Sequence, residues 1–118
     1  MPDILLIEDD TELREVIREA VEIAGFSVVV ARDGEEGLAL LSEGFQPDVI
    51  MCDIVLPRMN GLEFLSLVRS ASHLDNTIFI SMSGNEQMKK QALKAGATFY
   101  LVKPFSFHDL YSMLDQAR

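Results

Sequence analysis

The chain has 118 residues, 48% hydrophobic and 25% charged, with one Cys and no Trp. That is one domain's worth of sequence, apolar enough to bury a core and too apolar for a disordered chain. Ten Lys+Arg against nineteen Asp+Glu give a formal net charge of −9, which argues against direct binding to nucleic acid or an anionic membrane and suits a protein that meets cations or basic surfaces.

The first apolar run, Ile4–Ile7, does not alternate with polar residues, as expected of a parallel strand covered on both faces. Leu13, Val16, Ile17, Ala20, Val21 and Ala24 then follow at helical spacing, and Gly25 stops the helix. Ser27–Ala31 is a second strand, and Asp33 with Glu36 three residues on marks a helix start of the capping-box kind. Val49–Cys52 predicts the third strand and Asn60 with Glu63 the third helix start. Thr77–Ser81 and Phe99–Val102 predict strands four and five, with Ser106, Asp109 and the stripe Phe107, Leu110, Tyr111, Leu114 forming the last helix. Strand and helix thus alternate five times, which predicts an α/β fold with a doubly wound five-stranded parallel sheet and helices on both faces. Residues 1–118 read as one unit, without repeats or linkers. The lone cysteine excludes an internal disulfide and a Cys-type zinc site, no apolar run is long enough for a membrane span, and MPDILLIEDD lacks a signal-peptide pattern, so the expected location is cytoplasmic.

In such sheets chemistry collects beyond the carboxyl ends of the strands. The first strand runs into Glu8, Asp9 and Asp10, the third ends at Asp53, the fourth at Ser81 or Ser83, and the fifth at Lys103-Pro104. If strands one and three are neighbours, at least three carboxylates face one another across roughly 5–10 Å. Carboxylates that close repel unless a cation joins them, and oxygen ligands with room for water suit Mg²⁺. A metal and a lysine together neutralise a site for a phosphoryl group. Taken singly, each residue has a plainer reading: Asp10 as a helix N-cap, Asp53 as turn chemistry, Lys103 as a solvated side chain, and Ser81 or Ser83 as partners of local backbone. Their joint placement points to an acidic Mg²⁺-dependent phosphate site.

With those residues in view, the chain resembles the receiver domain of the two-component response regulators over essentially its whole length. The resemblance is carried by Ile7-Glu8-Asp9-Asp10, by Asp53 followed by Leu56-Pro57-Arg58-Met59-Asn60-Gly61, by Ile80-Ser81-Met82-Ser83-Gly84, by Ala95-Gly96-Ala97 and by Lys103-Pro104-Phe105. It implies a flavodoxin-like strand order 2-1-3-4-5 and a phosphoacceptor at Asp53, charged by a sensor histidine kinase or a histidine phosphotransfer protein. Asp9, Asp53 and the backbone carbonyl of Val55 would ligate Mg²⁺ (or Mn²⁺), Glu8 would act through a water, and Asp10 would assist or merely cap the first helix. Arg14, five residues past Asp9, favours Glu8/Asp9 as the acidic pair. Lys103 would pair with Asp53 and then with the phosphoryl oxygens, with a cis bond into Pro104. Spacing favours Ser81 as the switch hydroxyl, 22 residues before Lys103, with Ser83 as the alternative if two residues are missing before the lysine. Tyr100 matches the family's rotating aromatic.

The resemblance implies a switch and not an enzyme with an external substrate, working on a downstream effector or a fused output domain through the face of the fourth helix, fifth strand and fifth helix, as a monomer or a phosphorylation-dependent dimer. On that face Lys89, Lys90 and Lys94 read as a solvated helix side or as contacts for acidic groups of a partner. Val55 offers no polar side chain to position a hydrolytic water. Cys52 reads as buried and inert, and His73 and His108 lack a second ligand at metal spacing. Two other classes compete. A degenerate receiver acting as a phosphorylation-independent interaction module is opposed by the complete set Glu8, Asp9, Asp53 and Lys103. A small aspartyl-nucleophile phosphohydrolase would want a second carboxylate where Val55 stands.

Overall fold

The computed structural model describes residues 3–116. Five parallel strands, β1 (Asp3–Ile7), β2 (Ser27–Ala31), β3 (Val49–Asp53), β4 (Ile78–Ser83) and β5 (Phe99–Val102), lie in the order β2-β1-β3-β4-β5. Five α-helices connect or follow them: α1 (Thr11–Ile23), α2 (Gly34–Ser42), α3 (Gly61–Arg69), α4 (Lys89–Ala95) and α5 (Phe107–Gln116). The fold class and strand order are those expected from the sequence.

Alternate strand residues feed two cores. Ile4, Leu6, Val49, Met51, Ile80, Met82 and Leu101 pack with Ile17, Ala20 and Val21 of α1 and with Leu110 and Leu114 of α5. On the other face Leu5, Ile7, Ile50, Cys52 and Phe79 pack with Phe64, Leu65 and Val68 of α3 and Ala92 of α4, with Leu41 of α2 in the same cluster. β3, central in the sheet, is buried at every residue, whereas the edge strand β2 is exposed at alternate positions.

The helix starts follow the capping side chains. Asp10, Asp33, Asn60 and Ser106 each accept a hydrogen bond from the backbone N–H three residues on. The acids three residues on bond elsewhere than a full capping box requires: Glu36 accepts from the Arg32 amide, and Glu63 from the Asn60 side-chain amide. Gly25, with φ +97, ends α1. β4 starts one residue later than expected and runs two further. Thr77 bonds out of the ladder, its amide to Leu74 and its hydroxyl to the Pro47 carbonyl, and the strand continues to Ser83. α4 is short, seven residues after a 3₁₀ turn at Glu86–Met88.

The start of α3 abuts the end of β3. Gly61 donates its N–H to the Ile54 carbonyl at 2.8 Å, and a Cβ at Gly61 would lie 2.3 Å from the Asp53 carbonyl oxygen and 2.6 Å from the Ile54 Cα. Both obstacles are backbone, so neither swings aside. Gly61→Ala is expected to lower the unfolding free energy by about 2–3 kcal/mol in urea denaturation. A loss below about 0.5 kcal/mol, the range of ordinary surface changes, would mean that α3 shifts without cost.

Candidate functional site

The sheet register sets the site. Ile7 pairs with Cys52, so Glu8 and Asp53 leave adjacent strands at the same level, and Asp53 pairs in turn with Met82 of β4. Glu8, Asp9 and Asp53 each offer a carboxylate oxygen within 4.8 Å of the others, closer than strand spacing alone suggested. It is the one group of three or more such side chains among the described residues. Glu8 is 1% exposed and Asp53 6%, whereas Asp9 lies open to solvent.

Lys103 sits between the two buried acids. Its Nζ donates to Glu8 Oε1 at 2.7 Å and to Asp53 Oδ2 at 2.9 Å. The remaining oxygens are also engaged: Glu8 Oε2 accepts from the Asp10 amide at 3.2 Å, and Asp53 Oδ1 from the Val55 amide at 3.1 Å. Arg14 donates to the Glu8 carbonyl at 3.0 Å, tying α1 to the end of β1. Asp10 has turned to α1, whose N-cap it forms, and stands outside the carboxylate cluster.

Burial raises the Glu8 pKa and the nearby Asp53 charge adds to it, against the opposing hydrogen bond from Lys103. Burial alone would lower Lys103, but its hydrogen bonds to Glu8 and Asp53 outweigh that and raise it. Three carboxylates and one ammonium leave a formal charge of −3 + 1 = −2 in this small volume. Hard oxygen donors, an open edge at Asp9 and two uncompensated negative charges fit a divalent cation such as Mg²⁺.

The two serines of β4 are both buried, at different levels. Ser81 pairs with Cys52 on one side and Tyr100 on the other, one residue short of the Asp53 level. Ser83 is the last residue of β4, one beyond the Met82 that pairs with Asp53. Ser83 Oγ accepts from the Asn85 amide at 3.0 Å, and the Asn85 carbonyl accepts from the hydroxyl of Tyr100, whose ring is buried. The Lys103–Pro104 peptide is cis.

Val55, two residues past Asp53, is 72% exposed. Cys52 is buried and donates to the Asp53 carbonyl, and burial pushes its thiol pKa well up. His73 and His108 are exposed and join no metal-type cluster among the described residues. Lys89, Lys90 and Lys94 are exposed on α4. Two features escaped the sequence reading. The Glu8–Lys103 bond joins residues 95 positions apart, which no local pattern reports. Asn85 carries no motif beyond its place two residues past Ser83.

The raised Glu8 pKa has a sign that can be checked. Its folded form holds a proton more readily than the unfolded chain does, so the linked stability is present at low pH and lost as pH rises through the raised value. Glu8→Gln keeps an acceptor for Lys103 but cannot ionise. In metal-free buffer its unfolding free energy should gain on the parent's as pH rises from about 4 to 7. Parallel stability curves would mean that Glu8 ionises in the fold without penalty.

Comparison with known proteins gives one consistent picture. The model of the response regulator receiver domain matches residues 4–115. The transcriptional regulatory protein CpxR of Escherichia coli K12 is 36% identical over 114 residues, 97% of this chain and 48% of CpxR. The chain thus spans about half the length of the curated relatives it matches. Among solved structures, the chemotaxis response regulator CheY4 of Vibrio cholerae superposes with a TM-score of 0.90 at 32% identity, covering 100% of this chain and 99% of that one. The receiver domain of the sensor histidine kinase PA1611 from Pseudomonas aeruginosa PAO1, with a magnesium ion coordinated in its active site cleft, gives a TM-score of 0.88 at 26% identity over 98% of this chain and 95% of that one.

Proposed function

The chain belongs to the response regulator receiver domain family, the phosphoacceptor signalling domains, and on that premise we propose that Asp53 accepts a phosphoryl group from a phosphohistidine of a kinase or phosphotransfer protein. The observation that carries this reading is the Lys103 ammonium held between Glu8 and Asp53 beside an exposed Asp9. The residues act as a Mg²⁺-dependent switch unit within 1–118, in the cytoplasm, and relay the change to a downstream effector or a fused output domain.

Asp9 and Asp53 would hold Mg²⁺ directly, together with the Val55 carbonyl, and Glu8 through a water. When bound, the ion supplies the positive charge that lets an anionic donor approach three carboxylates. An Asp53 oxygen forms the new O–P bond as the donor's N–P bond breaks, and the electron pair stays on the imidazole nitrogen. Lys103 is already in place to receive phosphoryl oxygens, so little reorganisation is needed as charge develops there. Glu8, bonded to the same ammonium, keeps the lysine aimed at the site.

Register supports Ser83, not Ser81, as the switch hydroxyl: it lies past the Asp53 level at the strand tip, whereas Ser81 lies inside the sheet between Cys52 and Tyr100. The two residues missing before Lys103 fit the shortness of α4. A Ser83 hydroxyl drawn to the phosphoryl group changes its bond to Asn85, and Asn85 in turn holds Tyr100. The face of α4, β5 and α5 then responds. The same site without phosphorylation would be an interaction module only, and with turnover a phosphohydrolase.

Incubation with Mg²⁺ and acetyl phosphate or phosphoramidate separates these readings. A single phosphoryl adduct by intact mass, lost in Asp53→Asn, is expected; no adduct indicates the degenerate module, and multiple turnover of donor the hydrolase. In the phosphorylated protein Ser83→Ala should suppress the amide chemical-shift changes of α4–β5–α5 while Ser81→Ala retains them; the reverse pattern would restore Ser81. Val55→Asn, which adds a polar group at an exposed position two residues past Asp53, should shorten the phosphoryl lifetime. Equal or slower loss would show that this position does not govern the hydrolytic water.

A further inference from the structure

The loop 54–60 carries the chain from Asp53 to α3, and Arg58 within it has φ +67. That left-handed conformation is unfavourable for a residue with a Cβ and persists where surrounding contacts hold it. The contacts are specific. Arg58 Nη2 donates to Asp33 Oδ2, and Arg58 Nε lies 3.9 Å from Glu35 Oε1. Asp33 is 4% exposed and uses its other oxygen to cap α2, accepting from the Glu36 amide at 2.8 Å. The next residue in the loop, Met59, packs against Gly34, where a Cβ would meet its Sδ at 3.1 Å. Residues 58–59 are therefore fastened to residues 33–34 at two successive positions. The Asp33 carboxyl is held below the usual carboxylate range, first by the Glu36 amide and then, against the effect of burial, by the Arg58 guanidinium.

The Arg58 side chain is 61% exposed, so it fills no core space. Its position in the chain matters more, three residues after Val55. Ile54 and Leu56 anchor the loop in the core, and the Ile54 amide donates to the Met82 carbonyl at 2.9 Å, whereas Val55 between them faces solvent. The far end of the loop has no comparable strand bond before Gly61.

We propose that the Arg58–Asp33 ion pair is a clasp that positions the 54–60 loop, and through it the Val55 carbonyl, and so sets the affinity of the acidic cluster for Mg²⁺. Arg58 is a positioning residue that touches neither metal nor phosphoryl group. The inference rests on the reading of Val55 as a metal ligand given above.

Two single variants and their combination test it by calorimetric titration with Mg²⁺ alone, without any phosphodonor. Arg58→Gly removes the guanidinium and suits the left-handed backbone, so the fold is spared. Asp33→Asn keeps an acceptor for the α2 cap and removes the charge. Long-range electrostatics alone would move the two in opposite directions: losing a cation near an acidic site tightens Mg²⁺ binding, and losing an anion weakens it. The clasp requires both to weaken binding, by about three- to fivefold, the scale of a partly exposed ion pair. The double variant should be no weaker than the poorer single one. Hydrogen exchange at the amides of 55, 56, 58 and 59 should quicken in Arg58→Gly, with the sheet amides unchanged. Parent-like or tighter Mg²⁺ binding in Arg58→Gly overturns the clasp, as does a double variant whose losses add. If the parent chain itself binds no Mg²⁺, the metal assignment of the preceding section fails, an outcome distinct from either.

Discussion

The site depends on one ammonium group. Lys103 leaves β5, an edge of the sheet, yet its Nζ meets Asp53 on β3 and Glu8 at the end of β1. With strands about 4.8 Å apart, it spans the tip of β4 and reaches the level of two further strands. A long, flexible, unbranched stem with a compact charge does this; the planar fork of an arginine has a different shape and hydrogen-bond pattern. The ion pair is also what makes burial of two carboxylates tolerable. Removing one partner of such a pair leaves a charge in a poorly solvated place, which is far more costly than the pair's own net contribution. Charge balance, strand geometry and the aim of the candidate phosphoacceptor therefore meet at one side chain.

A parallel sheet makes this economical. Every strand delivers its carboxyl end to the same edge, so residues distant in sequence converge without a dedicated scaffold. The cost appears in the connections. The segment after Asp53 turns back on itself closely enough that α3 begins against the backbone it has just left, and only glycine fits at position 61. Arg58 sits in a strained backbone conformation a few residues earlier. Both irregularities lie in the connection that begins at the candidate phosphoacceptor, where local preference yields to the geometry of the site.

Most of the fold could be read from the sequence because its signals are local. Uninterrupted apolar runs, a 3.6-residue stripe and four capping side chains each act over a few residues, and each lies where expected. The start of β4 is harder to read. Thr77 looks like a strand residue, but its hydroxyl reaches Pro47 across 30 positions, and nothing nearby reports that. Counting residues back from Lys103 to choose between Ser81 and Ser83 carries a hidden assumption about the length of the intervening helix. Here α4 has seven residues. Register, a property of paired strands, carries no such assumption and supports the Ser83 proposal. The acidic residues and the lysine were legible as a set because they cluster at strand ends; the hydrogen bond between Glu8 and Lys103 was not, since it exists only after the sheet has formed. Arg58 lies inside a recognisable motif, but Asp33 reads as a helix cap, and its second oxygen, which holds Arg58, carries no sequence signal.

Asn85 touches Ser83 with its amide and Tyr100 with its carbonyl. A single residue therefore spans from strand tip to phenol. An extra residue between positions 83 and 85 would part the serine from the phenol it is linked to, whereas α4, which begins only at Lys89, lies outside that link.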